Sequence, residues 1–299
     1  MFSKQVIKTT TVQLVEAMAK SAGIRAIACG NIGLPVLDAI REPEGFDLLV
    51  VELSSFQLHY LGSISPVSAV VLNVANDHLD WHGGFEAYKA AKAKVYENTV
   101  AACVYNVMDK STESMVEDAD VVEGARAIGF TLGIPTRSQV GFVEDILCDR
   151  AFLDDRANNA LEIATLEDLA QIGVLTPHLM ANAAAATALA RSAGVEPADI
   201  REAIRNFRLD AHRIELVAEA NGVRWIDDSK ATNAHAADAS SSASPSPSPS
   251  APSPSAPSTS PSPTVVASHA QPFGWEAAIV RRVVRALFPA GAPAYALAE

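Results

Sequence analysis

The sequence predicts an α/β fold, a mostly parallel sheet flanked by helices with a small antiparallel addition. Two β-rich runs, "FDLLVVEL" and "VSAVVLNV", are nearly continuous in apolar character, the pattern of strands covered on both faces. Between the second run and "AACVYNV" lies "FEAYKAAKAKVYENT", whose apolar residues recur at helical spacing. Strand, helix and strand in that order are the grammar of a parallel sheet with crossover helices.

Residues 12–22 are expected as a helix with Val12, Val15, Ala19 and Ala22 on one face, followed by "IRAIAC" as a short buried strand. From about Ala125 to Leu166 the elements shorten. "RAIGF", "QVGFV" and "RAFL", separated by Gly, Pro and Asp, predict the antiparallel addition. "HLMANAAAATALARSAG" predicts a helix ending at Gly194, and "EPADIREAIRNF" a second one with Pro197 in its first turn. "RIELVAEANGVRWIDD" predicts a hairpin turning at Asn221-Gly222. After Ala239 the character changes. Pro-Ser alternation removes backbone donors and buries nothing, so 239–263 is expected to be an extended, disordered tract. The tail, 264–299, is expected to hold one amphipathic helix, "WEAAIVRRVVRALF", with Ile279, Val280, Val283, Val284 and Leu287 on its apolar side and no core of its own to join.

The 299 residues are 49% hydrophobic and 19% charged, a globular composition sufficient for one or two domains. The 23 basic residues against 35 acidic ones give a formal charge of -12, which disfavours nucleic acid and anionic membrane surfaces as partners. Cys29, Cys103 and Cys148 are widely spaced and odd in number, matching neither a disulfide framework nor a zinc site, so a reducing cytoplasm is the expected setting. The apolar runs fall short of the roughly 18 residues of a membrane span, and no apolar core follows the lysines of "MFSKQVIKTTT" to make a signal peptide.

Five stretches are candidates to carry chemistry. "IKTTT" contains Lys8, Thr9 and Thr10, the end of a phosphate-loop pattern in which lysine reaches phosphates and the next hydroxyl binds magnesium. The glycines of such a loop are missing from "MFSKQV", and a charged helix N-terminus with a threonine cap is the alternative. Glu52 stands at the carboxyl end of a buried strand, where open parallel sheets collect ligands, and must there be paired, hydrated or coordinated. Asp77, His78, Asp80 and His82 share a strand-to-helix loop and suit a divalent metal. Lys89, Lys92 and Lys94 read as a solvated helix face, and their spacing selects none of them. "WIDDSKATN", 225–233, gathers polar groups directly behind an apolar run.

Together "GNIGLP", "ELSSFQL", "LNVANDHLDWHGGFEAYKAAKAKVYEN", "AHRIE" and "DDSKATN" resemble the Mur ligase family, and within it the members that add D-glutamate. The resemblance runs in order from about Lys8 to Asp238. It implies a monomer with the family's central, P-loop-type ATP-binding domain over 1–238. It also implies ATP-dependent amide synthesis on UDP-N-acetylmuramoyl-L-alanine and D-glutamate in the cytoplasmic stage of cell-wall assembly, with Mg2+ as cofactor. Carried over residue by residue, Lys8, Thr9 and Thr10 are expected at the ATP phosphates, with Thr9 and Glu52 on magnesium. His78 would bind a second magnesium, and Lys92 matches the lysine that the family carbamylates, an anionic metal ligand. Asn31, Ser54, Gln57 and Thr232 are expected at the substrate, and Asn182, Arg213 and Asp227 at the nucleotide. Lys8, His78, Lys92 and Lys230 are expected to be catalytic.

The match also departs from the family. "SKQVI" stands where a glycine-rich loop is expected, so Lys8 and Thr9 lack its backbone cradle. The family's UDP-binding domain is expected to be absent before Lys8, and its glutamate-binding domain is expected to be replaced by the Pro-Ser tract and tail. Impaired ligase activity follows as an expectation, with a non-catalytic nucleotide- or partner-binding module as the alternative.

Overall fold

A computed structural model describes residues 4–210, 215–220, 223–227, 265–267 and 294–298 of the chain. Helix α1 (Lys4–Ser21) leads to β1 (Ala26–Gly30), α2 (Val36–Arg41), β2 (Leu48–Leu53), α3 (Ser55–Tyr60) and β3 (Ser68–Val71). Then come α4 (Leu79–His82), α5 (Phe85–Ala93) with a 3-10 turn at Lys94–Tyr96, β4 (Ala102–Asn106), α6 (Lys110–Glu117) and β5 (Arg126–Phe130). The strands β6 (Gln139–Val143), β7 (Ile146–Asp149) and β8 (Leu161–Thr165) precede α7 (Leu166–Ala170), α8 (Pro177–Ser192) and α9 (Pro197–Asn206). The last described elements are β9 (Glu215–Ala220), β10 (Val223–Asp227), β11 (Val265–Ala267) and β12 (Ala294–Ala298).

One sheet has the order β1-β2-β12-β3-β4-β5-β6-β7-β8. Its strands are parallel from β1 to β6 and antiparallel from β6 to β8. The expected α/β class, mostly parallel with a small antiparallel part, is the one observed. Three strands, β11-β10-β9, form a separate sheet.

Period-two alternation divides the core between the two faces of the large sheet. Leu48 and Val50 of β2 pack with Val12, Val15 and Met18 of α1 and with the alanines of α8, whereas Leu49, Val51 and Leu53 pack with Leu58, Val95 and Tyr96 on the other face. The alanine-rich α8 runs through the first layer, its residues from Ala183 to Ala190 buried without exception. Small side chains let it approach the sheet closely. It starts at the Thr176 hydroxyl, which accepts the Leu179 N–H at 3.1 Å, with Pro177 in the first turn, and beyond its last turn Gly194 takes φ +82°.

Several boundaries differ from those expected. α1 begins at Lys4, before residue 12, so Lys8, Thr9 and Thr10 lie within a helix and the free N–H groups of its first turn belong to earlier residues. "RAIGF" is β5 and joins β4 in parallel, so the antiparallel part starts only at the β6–β7 pair. "RAFL" is not a strand. The Asp149 carboxylate accepts the N–H groups of Ala151 (2.6 Å) and Phe152 (3.0 Å) and takes Arg191 Nε at 3.1 Å, which bends the chain there. The hairpin stands, with Ala220 opposite Val223, although its Asn-Gly turn lies outside the described residues. So do the Pro-Ser tract and the expected tail helix. The described residues of the tail form β11 and β12, the latter in the middle of the large sheet.

Candidate active site

Glu52 follows Leu48 and Val50 on the α1 side of β2, because side chains two apart share a face. Lys8 precedes Val12 by one helical turn and continues the buried stripe of α1 toward the same place. Both are removed from water, at 1% and 2% exposure. Lys8 Nζ stands 3.5 Å from Glu52 Oε1, and the Thr9 hydroxyl donates to Oε2 at 3.2 Å. Asn31 donates twice, its side-chain amide to Oε1 at 3.2 Å and its backbone N–H to the Glu52 carbonyl at 2.8 Å. The sheet thus delivers a buried carboxylate to a cation and two neutral donors, an arrangement that satisfies the charge. A cavity of about 390 Å³ opens beside it, lined by Thr9, Gln13, Glu16, Ala28, Ile32 and Asp210.

Asn182, a polar residue in the alanine-rich α8, is buried and its Oδ1 accepts the Thr11 hydroxyl at 3.3 Å, one turn along from Lys8. Thr10 is buried beside them. Ser54 and Gln57 form a capping box at the start of α3: Ser54 Oγ accepts the Gln57 N–H at 3.2 Å, and Gln57 Oε1 accepts the Ser54 N–H at 2.8 Å. Their shared position after Glu52 is therefore fixed by local structure.

The three lysines of α5 and its 3-10 turn separate by environment. Lys89 donates to Ser114 Oγ and Lys94 to the His59 carbonyl, both toward the surface layer. Lys92 is 0% exposed; its Nζ donates to the Asn73 carbonyl at 3.1 Å and lies 4.8 Å from the Tyr88 ring centre. An expected solvated face thus conceals one buried cation.

The loop after β3 is less concentrated than its composition implies. His78 opens α4 in the left-handed region (φ +49°), with Nε2 3.6 Å from Asp77 Oδ2 and its ring 4.7 Å from that of Phe56. His82 turns away to meet Ser55 Oγ at 3.1 Å. Among the described residues no three His, Cys, Asp or Glu side chains converge to hold a metal ion, so Asp77, His78, Asp80 and His82 do not form the ligand cluster expected of them. Asp227 ends β10 half-buried, while Arg213, Lys230 and Thr232 lie outside the described residues.

Asn73, Asn106 and Asp109 escaped the sequence reading. Asn106 Nδ2 donates to the Leu72 carbonyl at 3.0 Å and Asp109 Oδ2 accepts the Val74 N–H at 2.7 Å, so the β4–α6 connection holds the loop whose Asn73 carbonyl meets Lys92. The available signal was Asp109 itself, an N-cap residue directly before α6. A cavity of about 350 Å³ opens at this point. The larger one, about 540 Å³, lies between α5 and α6 and touches neither Lys8 nor Glu52, so size does not mark the chemistry.

Residues 8–190 match the family model described as "Mur ligase middle domain". A UDP-N-acetylmuramoylalanine--D-glutamate ligase of Leifsonia xyli subsp. xyli is 61% identical over 237 residues, 78% of this chain and 46% of that protein. The enzyme of the same name from Streptomyces avermitilis is 56% identical over 232 residues, 78% of this chain and 49% of its own. The chain spans about half the length of the curated relatives it matches. Among solved structures, a UDP-N-acetylmuramoyl-L-alanyl-D-glutamate--2,6-diaminopimelate ligase superposes with a TM-score of 0.57 at 18% identity, covering 74% of this chain and 48% of that one. A UDP-N-acetylmuramoylalanyl-D-glutamyl-2,6-diaminopimelate--D-alanyl-D-alanyl ligase from Acinetobacter baumannii gives 0.55 at 18%, covering 79% and 51%, and these two show the fold. The family model spans α1 to α8, the elements that bring Lys8, Thr9 and Glu52 together, and the chain belongs to the Mur ligase family.

Proposed function

We propose that the chain carries the ATP-binding domain, 1–238, of a cytoplasmic ligase that joins D-glutamate to UDP-N-acetylmuramoyl-L-alanine. The names of its relatives support the reaction, and the Lys8–Thr9–Glu52 group is the observation that carries the reading. In such a reaction a substrate carboxylate oxygen bonds to the γ-phosphorus of ATP while the bond to ADP breaks. The amine of D-glutamate then bonds to the acyl carbon, loses a proton, and phosphate leaves. Two anions must meet, so positioning and charge neutralisation dominate.

The Thr9 hydroxyl and Glu52 carboxylate are hard oxygen donors of the kind that Mg2+ prefers, and they already face one another at 3.2 Å. When bound, Mg2+ would supply positive charge against the phosphate oxygens. Lys8 supplies a second positive charge at the same point, and Asn31 holds the carboxylate through Oε1, the oxygen that Lys8 also faces. Thr10, Asn182, Arg213 and Asp227 are assigned to the nucleotide, Ser54, Gln57 and Thr232 with Asn31 to the substrate, and Lys230 to catalysis. His78 and Lys92 are assigned to a second metal, Lys92 as a carbamate; 13C-bicarbonate labelling followed by NMR or mass spectrometry of the intact chain tests that assignment.

A non-catalytic nucleotide- or partner-binding module is the second reading, and one observation counts for it against catalysis. α1 is already helical at Lys4, so residues 4–7 form a helical turn where a phosphate loop would present free N–H groups. Phosphate release measured with ATP, Mg2+, UDP-N-acetylmuramoyl-L-alanine and D-glutamate separates the two. Release that depends on D-glutamate supports the ligase; tight MgATP binding without release supports the module.

A further inference from the structure

β12 is inserted between two strands that are far from it in sequence. It runs parallel to both, with Ala294–Ala298 opposite Leu49–Leu53 of β2 and Tyr295–Ala298 opposite Ser68–Val71 of β3. One ladder row therefore reads Gly30, Glu52, Leu297, Val70 and Val104. Every residue of β2 and of β3 is buried with β12 in place, and β12 supplies the ladder partners of their facing edges. α1 and the 3-10 turn that follows α5 both contact β12.

We propose that the gap between β2 and β3 is a strand-acceptor slot whose occupant is Ala294–Ala298 of the same chain. Through it the tail sets the separation between the Glu52 and Asn73–Lys92 parts of the site. Glu52 lies on one bank of the slot, and Asn73 follows the strand on the other. Neighbouring strands are about 4.8 Å apart, so closing the slot would bring the two banks together by roughly that distance. The segment has the sequence Ala-Tyr-Ala-Leu-Ala, and alanine has little intrinsic β preference. Pairing on both edges, rather than propensity, selects its conformation. The pairing and the separation it sets are properties of the sheet and hold whether or not the chain is a ligase.

Hydrogen exchange of the full chain, followed by mass spectrometry without nucleotide, tests it. Amides of 295–298 are expected to exchange as slowly as those of Val50–Leu53 and Val70–Val71. Ala296→Pro removes a ladder donor, and is expected to raise exchange in β2 and β3 by at least about tenfold while β6 to β8 keep their protection. Should that variant fail to fold, the unaltered chain still decides. Free exchange at 295–298 would overturn the proposal, as would unchanged protection of β2 and β3 in Ala296→Pro. Protection that appears only in a concentration-dependent dimer would place another copy's strand in the slot and overturn the same-chain assignment.

Discussion

Gly30 and Glu52 are opposite one another in the β1–β2 ladder, and a Cβ built on Gly30 would stand 2.4 Å from the Glu52 carbonyl oxygen. Gly30 also has φ +105°, a conformation that side chains other than hydrogen rarely adopt. The close approach lets Asn31, the next residue, reach both the backbone and the carboxylate of Glu52. Gly30→Ala is therefore expected to destabilise the chain by about 2 kcal/mol through strain and overpacking and to displace the carboxylate. Urea unfolding checks the first effect; unchanged stability would mean that the two strands separate at no cost.

The buried Lys8–Glu52 pair gives a second expectation. Glu52→Gln removes one charge beside a cation that remains buried and should cost about 3 kcal/mol, whereas Lys8→Met with Glu52→Gln should recover part of that loss. A double-mutant cycle by urea denaturation measures the coupling. Additive losses would show that the two charges do not interact.

The thiols should be inert. Burial pushes Cys29 up to about 12, with the nearby Glu16 charge adding to it, and burial pushes Cys103 up to about 11. Cys148 is also raised, first by burial. The thiolate is the reactive form, so the folded chain at about pH 8 should resist alkylation and react at all three positions only in denaturant. Rapid labelling of the native chain, read by mass spectrometry, would contradict this.

Asp168 ties stability to pH. Its burial raises the carboxyl, but hydrogen bonds from Arg205 (2.6 Å) and the Thr165 N–H (3.0 Å) outweigh that, and the net position is below the ordinary value. A depressed group stabilises the fold above its unfolded value, and that contribution is lost as pH falls through its folded value. Asp168→Asn should thus be weaker than the parent by about 1 kcal/mol near neutrality, allowing for the half-exposed Arg205, with the gap narrowing below about pH 4. Parallel thermal melts at the two conditions check the sign; a gap that widens in acid would contradict it.

The parallel sheet was legible because β2 and β3 are apolar on both faces, and α8 because Thr176, Pro177 and Gly194 mark its ends. α6 was not, since "KSTESMVE" is mostly polar and its start depends on the Asp109 cap. β12 left no trace, because five residues pairing with distant strands make no local pattern. At the site, residue spacing alone left Lys8 and Glu52 as separate weak signals and did not distinguish Lys92 from Lys89 and Lys94. Resemblance selected them. The tertiary contacts supply the physical reason, which is burial against Glu52 in one case and against Asn73 and Tyr88 in the other.

Lys8, Thr9 and Glu52 are the proposed site for MgATP. Titration of the full chain with a fluorescent ATP analogue, with and without Mg2+, tests it most directly, with circular dichroism to verify that Glu52→Gln remains folded. The expected result is saturable, Mg2+-dependent binding that weakens by at least about tenfold, some 1.4 kcal/mol, in the folded variant. Binding that ignores both Mg2+ and the substitution, or no binding by the unaltered chain, would contradict the account.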